Sequence, residues 1–224
     1  MNETASAALQ IDVVSDVVCP WCYIGKRQLE TALQRWQAAN PGLAAPTLRW
    51  RPFQLNPEIP AGGIPRSDYL LRKFGAADGG NLYERVIAAA SAVGLGLKMD
   101  GIRVQPNTLK AHGLLELAKE GDLQDALAEA LFQAYFIDGR DLSDDHVLRD
   151  IAIDAGLAEK PVAAALSDAT RTQAVAAADA EMRGHGVTGV PLFIIGNGAG
   201  EHLAVSGAQG ADALLAAMRQ VQGS

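Results

Sequence analysis

The hydrophobic and polar positions of this chain follow a strand period first, then a helix period, and then a strand period again. Positions 9–18 are rich in β-branched apolar residues and predict a buried strand. Leu29, Leu33 and Trp36 recur at helical spacing and predict one apolar stripe along a helix. Alternating residues at 47–55 predict a second strand. The chain therefore opens with a strand–helix–strand unit.

The middle of the chain has the spacing of helices, and its last part returns to strands. Positions 67–183 predict a block of packed helices joined by short gaps, with one continuous alanine-rich helix at 161–182. Two short apolar segments between 190 and 206 predict a hairpin, and a last amphipathic helix follows. We therefore predict an α/β domain formed by 9–66 and 184–224, with an inserted helical domain at 67–183.

Composition and charge exclude several classes of protein. The chain has 224 residues and a formal net charge of −7, which argues against a nucleic-acid-binding face built from clustered Lys and Arg. No apolar run approaches the roughly 20 residues that cross a bilayer. The N-terminus carries Glu3, and the first basic residue is Lys26, so the basic start of a secretory signal is missing. We expect a cytoplasmic protein without nucleic-acid or membrane partners.

The chain contains two cysteines, Cys19 and Cys22, in the order Cys-Pro-Trp-Cys directly after the first predicted strand. A secreted disulfide framework uses more cysteines, spread along the chain. A single C-x-x-C in a reducing compartment indicates a redox centre or a metal site. Pro20 restricts the loop between the two thiols, and Trp21 either shields the sulfurs or contacts a substrate.

The positions of the two thiols predict their chemical roles. Cys19 begins the predicted helix, where unpaired backbone N–H groups and a partial positive charge stabilise a thiolate. The thiolate is the species that attacks a disulfide, so Cys19 is the predicted attacking thiol, and we expect it to be exposed. Cys22 lies one turn further into the helix, and we expect a more buried thiol that resolves the mixed disulfide.

Two other interpretations of the cysteine pair stay open. Free cysteines pack well in cores, so in the first interpretation both thiols are inert. In the second the pair binds zinc, and a four-ligand site then needs histidines as well. The histidines of the chain are His112, His146, His185 and His202, and no two have the neighbouring H-x3-5-H spacing. We therefore expect no metal site.

Five segments across nearly the whole chain carry a resemblance to a known family. They are Cys19–Arg27, Trp50–Phe53 with Leu55–Pro57, Ala130–Phe136, Thr188–Pro191 and Ser206–Gln209. In combination they resemble the DsbA-like family, and within it the FrnE-like branch. The resemblance implies a thioredoxin-like fold with a large all-helical insertion. It also implies reduction or isomerisation of disulfides in protein or peptide substrates, with glutathione as a candidate reductant and no cofactor beyond the redox-active disulfide.

The same resemblance assigns roles to the segment before the third strand of the sheet. In thioredoxin-like folds the proline at the position of Pro191 is cis and lies against the active cysteine. The backbone of Val190 is then free to pair with an extended substrate as an added strand. The resemblance therefore implies a site of Cys19, Cys22 and Pro191, with the helical block covering the dithiol and forming one wall of a groove.

Two alternative functions stand beside disulfide exchange. The superfamily includes 2-hydroxychromene-2-carboxylate isomerase and kappa-class glutathione transferase, which typically carry Ser where Cys19 stands and use bound glutathione as the thiol. Their Ser-Asp pair before the last helix is also replaced here, near Ala208 and Gln209. A glutathione-dependent isomerase or transferase is the alternative enzyme, and a chaperone-like binder of unfolded polypeptide is the alternative without catalysis. A monomer and a homodimer both stay open.

Some further positions bear on the predicted site. Thioredoxin often has an acid six residues before its first cysteine, but Val13 occupies that position here. Proton transfer at Cys22 then needs another group or water, and Asp16 is nearer in sequence. His112 either faces the dithiol or is a core or solvated histidine. Phe53 either lines the substrate groove or belongs to the core.

Overall fold

The computed structural model describes residues 9–75, 81–198 and 200–223. In these ranges the strands are β1 (Gln10–Ser15), β2 (Thr47–Pro52), β3 (Ile64–Pro65), β4 (Val104–Gln105), β5 (Leu192–Gly196) and β6 (His202–Ser206). The helices are α1 (Pro20–Ala39), α2 (Arg66–Phe74), α3 (Asn81–Ser91), α4 (Leu109–Ala118), α5 (Gln124–Phe136), α6 (Asp145–Asp154), α7 (Glu159–Ser167), α8 (Ala169–Gly184) and α9 (Ala211–Gln222).

Four strands form one mixed sheet in the order β2-β1-β5-β6. β1 runs parallel to β2 and antiparallel to β5, and β6 runs antiparallel to β5. Val13 at the middle of β1 lies opposite Trp50 on one side and Phe193 on the other. A central strand with neighbours on both edges is largely covered, which accounts for the burial of Ile11, Val13 and Val14 in β1. The predicted β-α-β, helical block, β-β-α order is confirmed.

The helices pack in two groups around this sheet. α9 packs against α1, β5 and β6, whereas α4, α5 and α8 from the helical block pack against β2. α5 also contacts α1, so the helical block reaches the helix that follows the first strand. None of the described helices has the length and apolar character to cross a membrane.

Two predictions about the helical block were wrong in detail. The stretch 67–183 is not entirely helical, because β4 pairs with β3 through Ile64 opposite Gln105. The alanine-rich segment is not one helix, because it breaks between α7 and α8. The break lies at Asp168, whose carboxylate accepts the N–H of Thr170 at 2.8 Å and so caps the start of α8.

Candidate active site

Cys19 is the residue that caps the start of α1. Its backbone is extended, with φ −95° and ψ 112°, and Pro20 occupies the first helical position, where the missing N–H costs no hydrogen bond. The carbonyl of Cys19 accepts the N–H of Cys22 at 3.0 Å and that of Tyr23 at 3.3 Å. The first thiol therefore lies at the positive end of a helix of 20 residues.

Both cysteines are buried, with 3 % of Cys19 and 2 % of Cys22 exposed. The prediction that Cys19 is exposed was wrong, because the loop before β5 lies against it: its sulfur is 3.7 Å from the carbonyl oxygen of Val190. Burial raises the pKa of the Cys22 thiol well above its usual value, and its hydrogen bond to Cys19 and the charge of Cys19 raise it further. Within the described ranges, no three His, Cys, Asp or Glu side chains lie close enough together to hold a metal ion.

The peptide bond between Val190 and Pro191 is cis. Pro191 packs against Gly25 of α1, where an added Cβ would lie 3.0 Å from the proline Cγ. The absence of a side chain at Gly25 thus lets the dithiol helix approach this loop closely. Val190 is half-buried, and Thr188 and Gly189 before it are exposed. The structure therefore brings Cys19, Val190 and Pro191 together, with Cys19 and Pro191 buried and Val190 half-buried.

Asp16, three residues before Cys19, forms a buried pair with His112 of α4. The two side chains are 1 % and 2 % exposed, and Oδ1 of Asp16 lies 3.5 Å from Nε2 of His112. The other carboxylate oxygen accepts the backbone N–H of Leu55 at 2.7 Å. His112 is thus a core histidine that contacts Asp16, three residues before Cys19. The pairing was missed from sequence, although an acid inside an apolar run that leads to a C-x-x-C was a signal for it.

The remaining predicted site residues divide between surface and core. Pro20 and Trp21 are half-buried at the start of α1 and leave part of their surface at the site. Phe53 is only 1 % exposed, and the guanidinium of Arg183 lies 4.2 Å from its ring centre. Phe53 is therefore a core residue and lines no groove in this structure, because α8 covers it with Arg183.

Comparison with known protein families identifies the family of this chain. The sequence profile of the DSBA-like thioredoxin domain matches residues 10–219. The chain belongs to the DSBA-like thioredoxin family. The predicted family and fold are thereby confirmed, whereas the FrnE-like branch stays a prediction.

Several solved structures are similar to this DSBA-like chain. It is 34 % identical to a probable DsbA oxidoreductase from Streptomyces coelicolor, covering 96 % of this chain and 91 % of that chain with a TM-score of 0.81. It resembles the cytosolic disulfide reductase DsbM from Pseudomonas aeruginosa with 17 % identity, 96 % and 95 % coverage and a TM-score of 0.61. It resembles 2-hydroxychromene-2-carboxylate isomerase with 15 % identity, covering 94 % of this chain and 95 % of that chain with a TM-score of 0.64. The last two likenesses show the fold alone.

A charged cluster fixes the dithiol helix of this DSBA-like domain to α5. Lys26 is 3 % exposed, and its ammonium group lies 3.2 Å from carboxylate oxygens of Asp125 and Glu129 and also contacts Glu30. Glu129 accepts hydrogen bonds from the Tyr23 hydroxyl at 2.8 Å and from Arg27 at 2.9 Å. The helix that carries Cys22 is therefore held by ion pairs one turn beyond the thiol.

The cluster predicts a pH-dependent contribution of Glu129 to stability. Burial alone would raise the pKa of this carboxyl, but hydrogen bonds from Arg27 and Tyr23 and the charge of Lys26 outweigh burial and lower the pKa. Because the pKa of Glu129 is lower in the folded state than its unfolded value of about 4.3, the ionised carboxylate stabilises the fold at pH values above about 4.3. This contribution is lost as the pH falls through the folded-state pKa. We expect Glu129→Gln to reduce the free energy of unfolding by about 2 kcal/mol at pH 7.

Urea unfolding of both proteins at a series of pH values measures this effect. The difference between wild type and Glu129→Gln should shrink as the pH falls below about 4. Asp212→Asn is the matched control, because Asp212 pairs with Arg35 at 2.7 Å but is 93 % exposed, so it should change stability little at any pH. A difference for Glu129→Gln that is constant with pH would contradict the prediction.

Proposed function

We propose that this protein reduces or isomerises disulfides in protein or peptide clients, with Cys19 as the attacking thiol and Cys22 as the resolving thiol. The observation that carries the proposal is the contact between the Cys19 sulfur and the Val190 carbonyl beside cis-Pro191, at the start of α1. The thiolate form of a cysteine at a helix N-terminus attacks disulfides, and an adjacent second thiol releases the product.

The reaction takes two exchange steps. The Cys19 thiolate attacks one sulfur of the client disulfide, an S–S bond to Cys19 forms, and the second client sulfur leaves as a thiolate. Cys22 then loses its proton and attacks Cys19, so that the client leaves reduced and the protein holds a Cys19–Cys22 disulfide. Two molecules of a small thiol such as glutathione return the dithiol and leave as their own disulfide.

The loop before β5 supports an extended polypeptide as the client. Among the described residues the N–H of Val190 donates to no backbone carbonyl, and the two residues before it are exposed. An extended chain that pairs with this backbone adds a short strand beside the Cys19 sulfur. Pro20 and Trp21 would then contact the client on the other side of the sulfur.

The physiological reductant is proposed to be glutathione, and the location cytoplasmic. Support comes from DsbM, which has the same fold, is described as a cytosolic disulfide reductase, and has also been solved with GSH. In a reducing compartment the dithiol form of such a couple predominates, so reduction and isomerisation of clients are favoured over their oxidation.

The equilibrium of Cys19 and Cys22 across glutathione redox buffers tests the proposal. Alkylation followed by mass spectrometry reports the dithiol, the intramolecular disulfide and any glutathione adduct. We expect one cooperative transition between dithiol and disulfide. A stable glutathione adduct or tightly held glutathione without an intramolecular disulfide would overturn the proposal in favour of a glutathione-dependent isomerase or transferase. Suppression of client aggregation by a variant that lacks both cysteines, without any disulfide exchange by wild type, would favour a chaperone-like binder.

A further inference from the structure

Both backbone groups of Asp16 are directed at the dithiol. Its carbonyl accepts the N–H of Cys19 at 3.0 Å, and its backbone N–H interacts with Cys22 and lowers the pKa of that thiol, against the larger effect of burial. The hydroxyl of Ser15 is also buried and faces the Cys22 sulfur. Any group that fixes or charges Asp16 therefore acts on both thiols at once.

The side chain of Asp16 joins this loop to the helical block. One carboxylate oxygen accepts the N–H of Leu55 after β2 at 2.7 Å. The other oxygen has no hydrogen-bond partner and lies 3.5 Å from Nε2 of His112 on α4, which also has none. A buried carboxylate charge that no partner compensates costs folding free energy. The imidazole of His112 is therefore the group that compensates the charge of Asp16.

The ionisable groups around Asp16 come from three helices. The imidazole of His112 on α4 faces the carboxylate, the charge of Asp16 acts on Tyr135 of α5, and Cys22 on α1 interacts with the backbone of Asp16. The pKa of the Tyr135 phenol is raised, first by burial and in part by the charge of Asp16, while Arg66 opposes the rise. Among the described residues, Asp16 is the acidic residue that lies within 4 Å of the His112 imidazole. The Asp16 charge is thus enclosed in protein and little screened by solvent.

We propose that His112 acts through Asp16 as a positioning residue for the resolving step. The carboxylate opposes loss of the proton from Cys22, and the imidazole reduces this opposition by compensating the carboxylate charge. The inference deepens the proposed function, since Cys22 is the resolving thiol there. In that step the Cys22 proton passes to solvent, the Cys22 thiolate bonds to the Cys19 sulfur, and the client sulfur leaves as a thiolate.

The test measures ionisation of Cys22 in a Cys19→Ala background, where it is the only cysteine. The rate of alkylation by iodoacetamide is followed against pH, because the thiolate is the reacting species. Asp16→Asn keeps the shape and the acceptor for Leu55 but removes the charge, so the rate at pH 8 should rise about tenfold. His112→Leu leaves the charge uncompensated, and the rate should fall about tenfold.

Three further variants separate this role from a structural one. His112→Gln retains an N–H donor and should restore most of the wild-type rate. The double variant Asp16→Asn with His112→Leu should match Asp16→Asn alone, because His112 acts through Asp16. Asp12→Asn is the matched control, since Asp12 lies on β1 four residues before Asp16 and pairs with Arg51 at 3.2 Å, and it should leave the rate unchanged.

Two results would overturn the inference: slower alkylation in Asp16→Asn, or no difference between His112→Leu and His112→Gln. The second comparison stays available if Asp16→Asn does not fold, and thermal unfolding of each variant reports folding. The assay involves no turnover, so it separates the two proposals. If the alkylation rates change as expected but no Cys19–Cys22 disulfide forms in redox buffers, the proposed function is contradicted and the role of His112 is not.

Discussion

Replacing Cys19 by Ser is expected to lower the rate of client disulfide reduction at least about 10³-fold, because it removes the attacking sulfur. Replacing Cys22 by Ser is expected to leave the first attack intact and to trap the client on Cys19. The asymmetry follows from the site: the Cys22 thiol is buried and its pKa is raised, so it keeps its proton near neutral pH, whereas Cys19 caps α1. The measurement is turnover of a disulfide-bonded peptide, together with non-reducing mass spectrometry of the enzyme.

The trapped species distinguishes the two thiols directly. The Cys22→Ser protein should carry one client peptide in disulfide linkage at Cys19, and added glutathione should release it. The Cys19→Ser protein should carry little or none, since the remaining thiol is buried and its raised pKa keeps it protonated near neutral pH. The variant that lacks both cysteines controls for non-covalent binding. Equal trapping by the two single variants would mean that the structure does not set an order of attack.

The order of elements and the placement of the C-x-x-C at a helix start could be predicted from sequence because local signals determine them. The apolar run before Cys19, the proline after it and the helical stripe of Leu29 and Trp36 all act over a few residues. Such signals place a thiol at a helix start without any knowledge of tertiary contacts. The contact of Pro191 with this helix needed the family resemblance as well, since a Val-Pro pair alone gives little information.

The parts that could not be predicted depend on contacts between distant segments. β3 and β4 have two residues each, too few for any periodicity, and they are defined only by their pairing. Burial of Cys19 is produced by the loop of Val190, and burial of Phe53 is produced by Arg183 from α8. The break at Asp168 did have a local signal, because Asp168 caps α8 by accepting the N–H of Thr170. The alanine-rich sequence on both sides nevertheless favoured one continuous helix.

Replacing Phe132 by Ala should cost about 3–5 kcal/mol of unfolding free energy, because it opens a cavity where three elements meet. Phe132 of α5 is fully buried, and its ring stacks on Tyr23 of α1 with centroids 4.9 Å apart. The edge of Trp50 from β2 lies against it at 6.1 Å. Domains of this kind are stable by about 5–15 kcal/mol, so the loss is a large part of the total.

Chemical denaturation at pH 7 measures the cost, with Phe74→Ala as the matched control. Phe74 of α2 is 42 % exposed, so the same truncation should change stability by about 0.5 kcal/mol or less. Because Tyr23 directly follows Cys22, the lost stacking should also loosen the start of α1 and speed alkylation of Cys22 below the unfolding transition. Similar losses of stability in the two variants would mean that the ring stack does not hold the dithiol helix on the helical block.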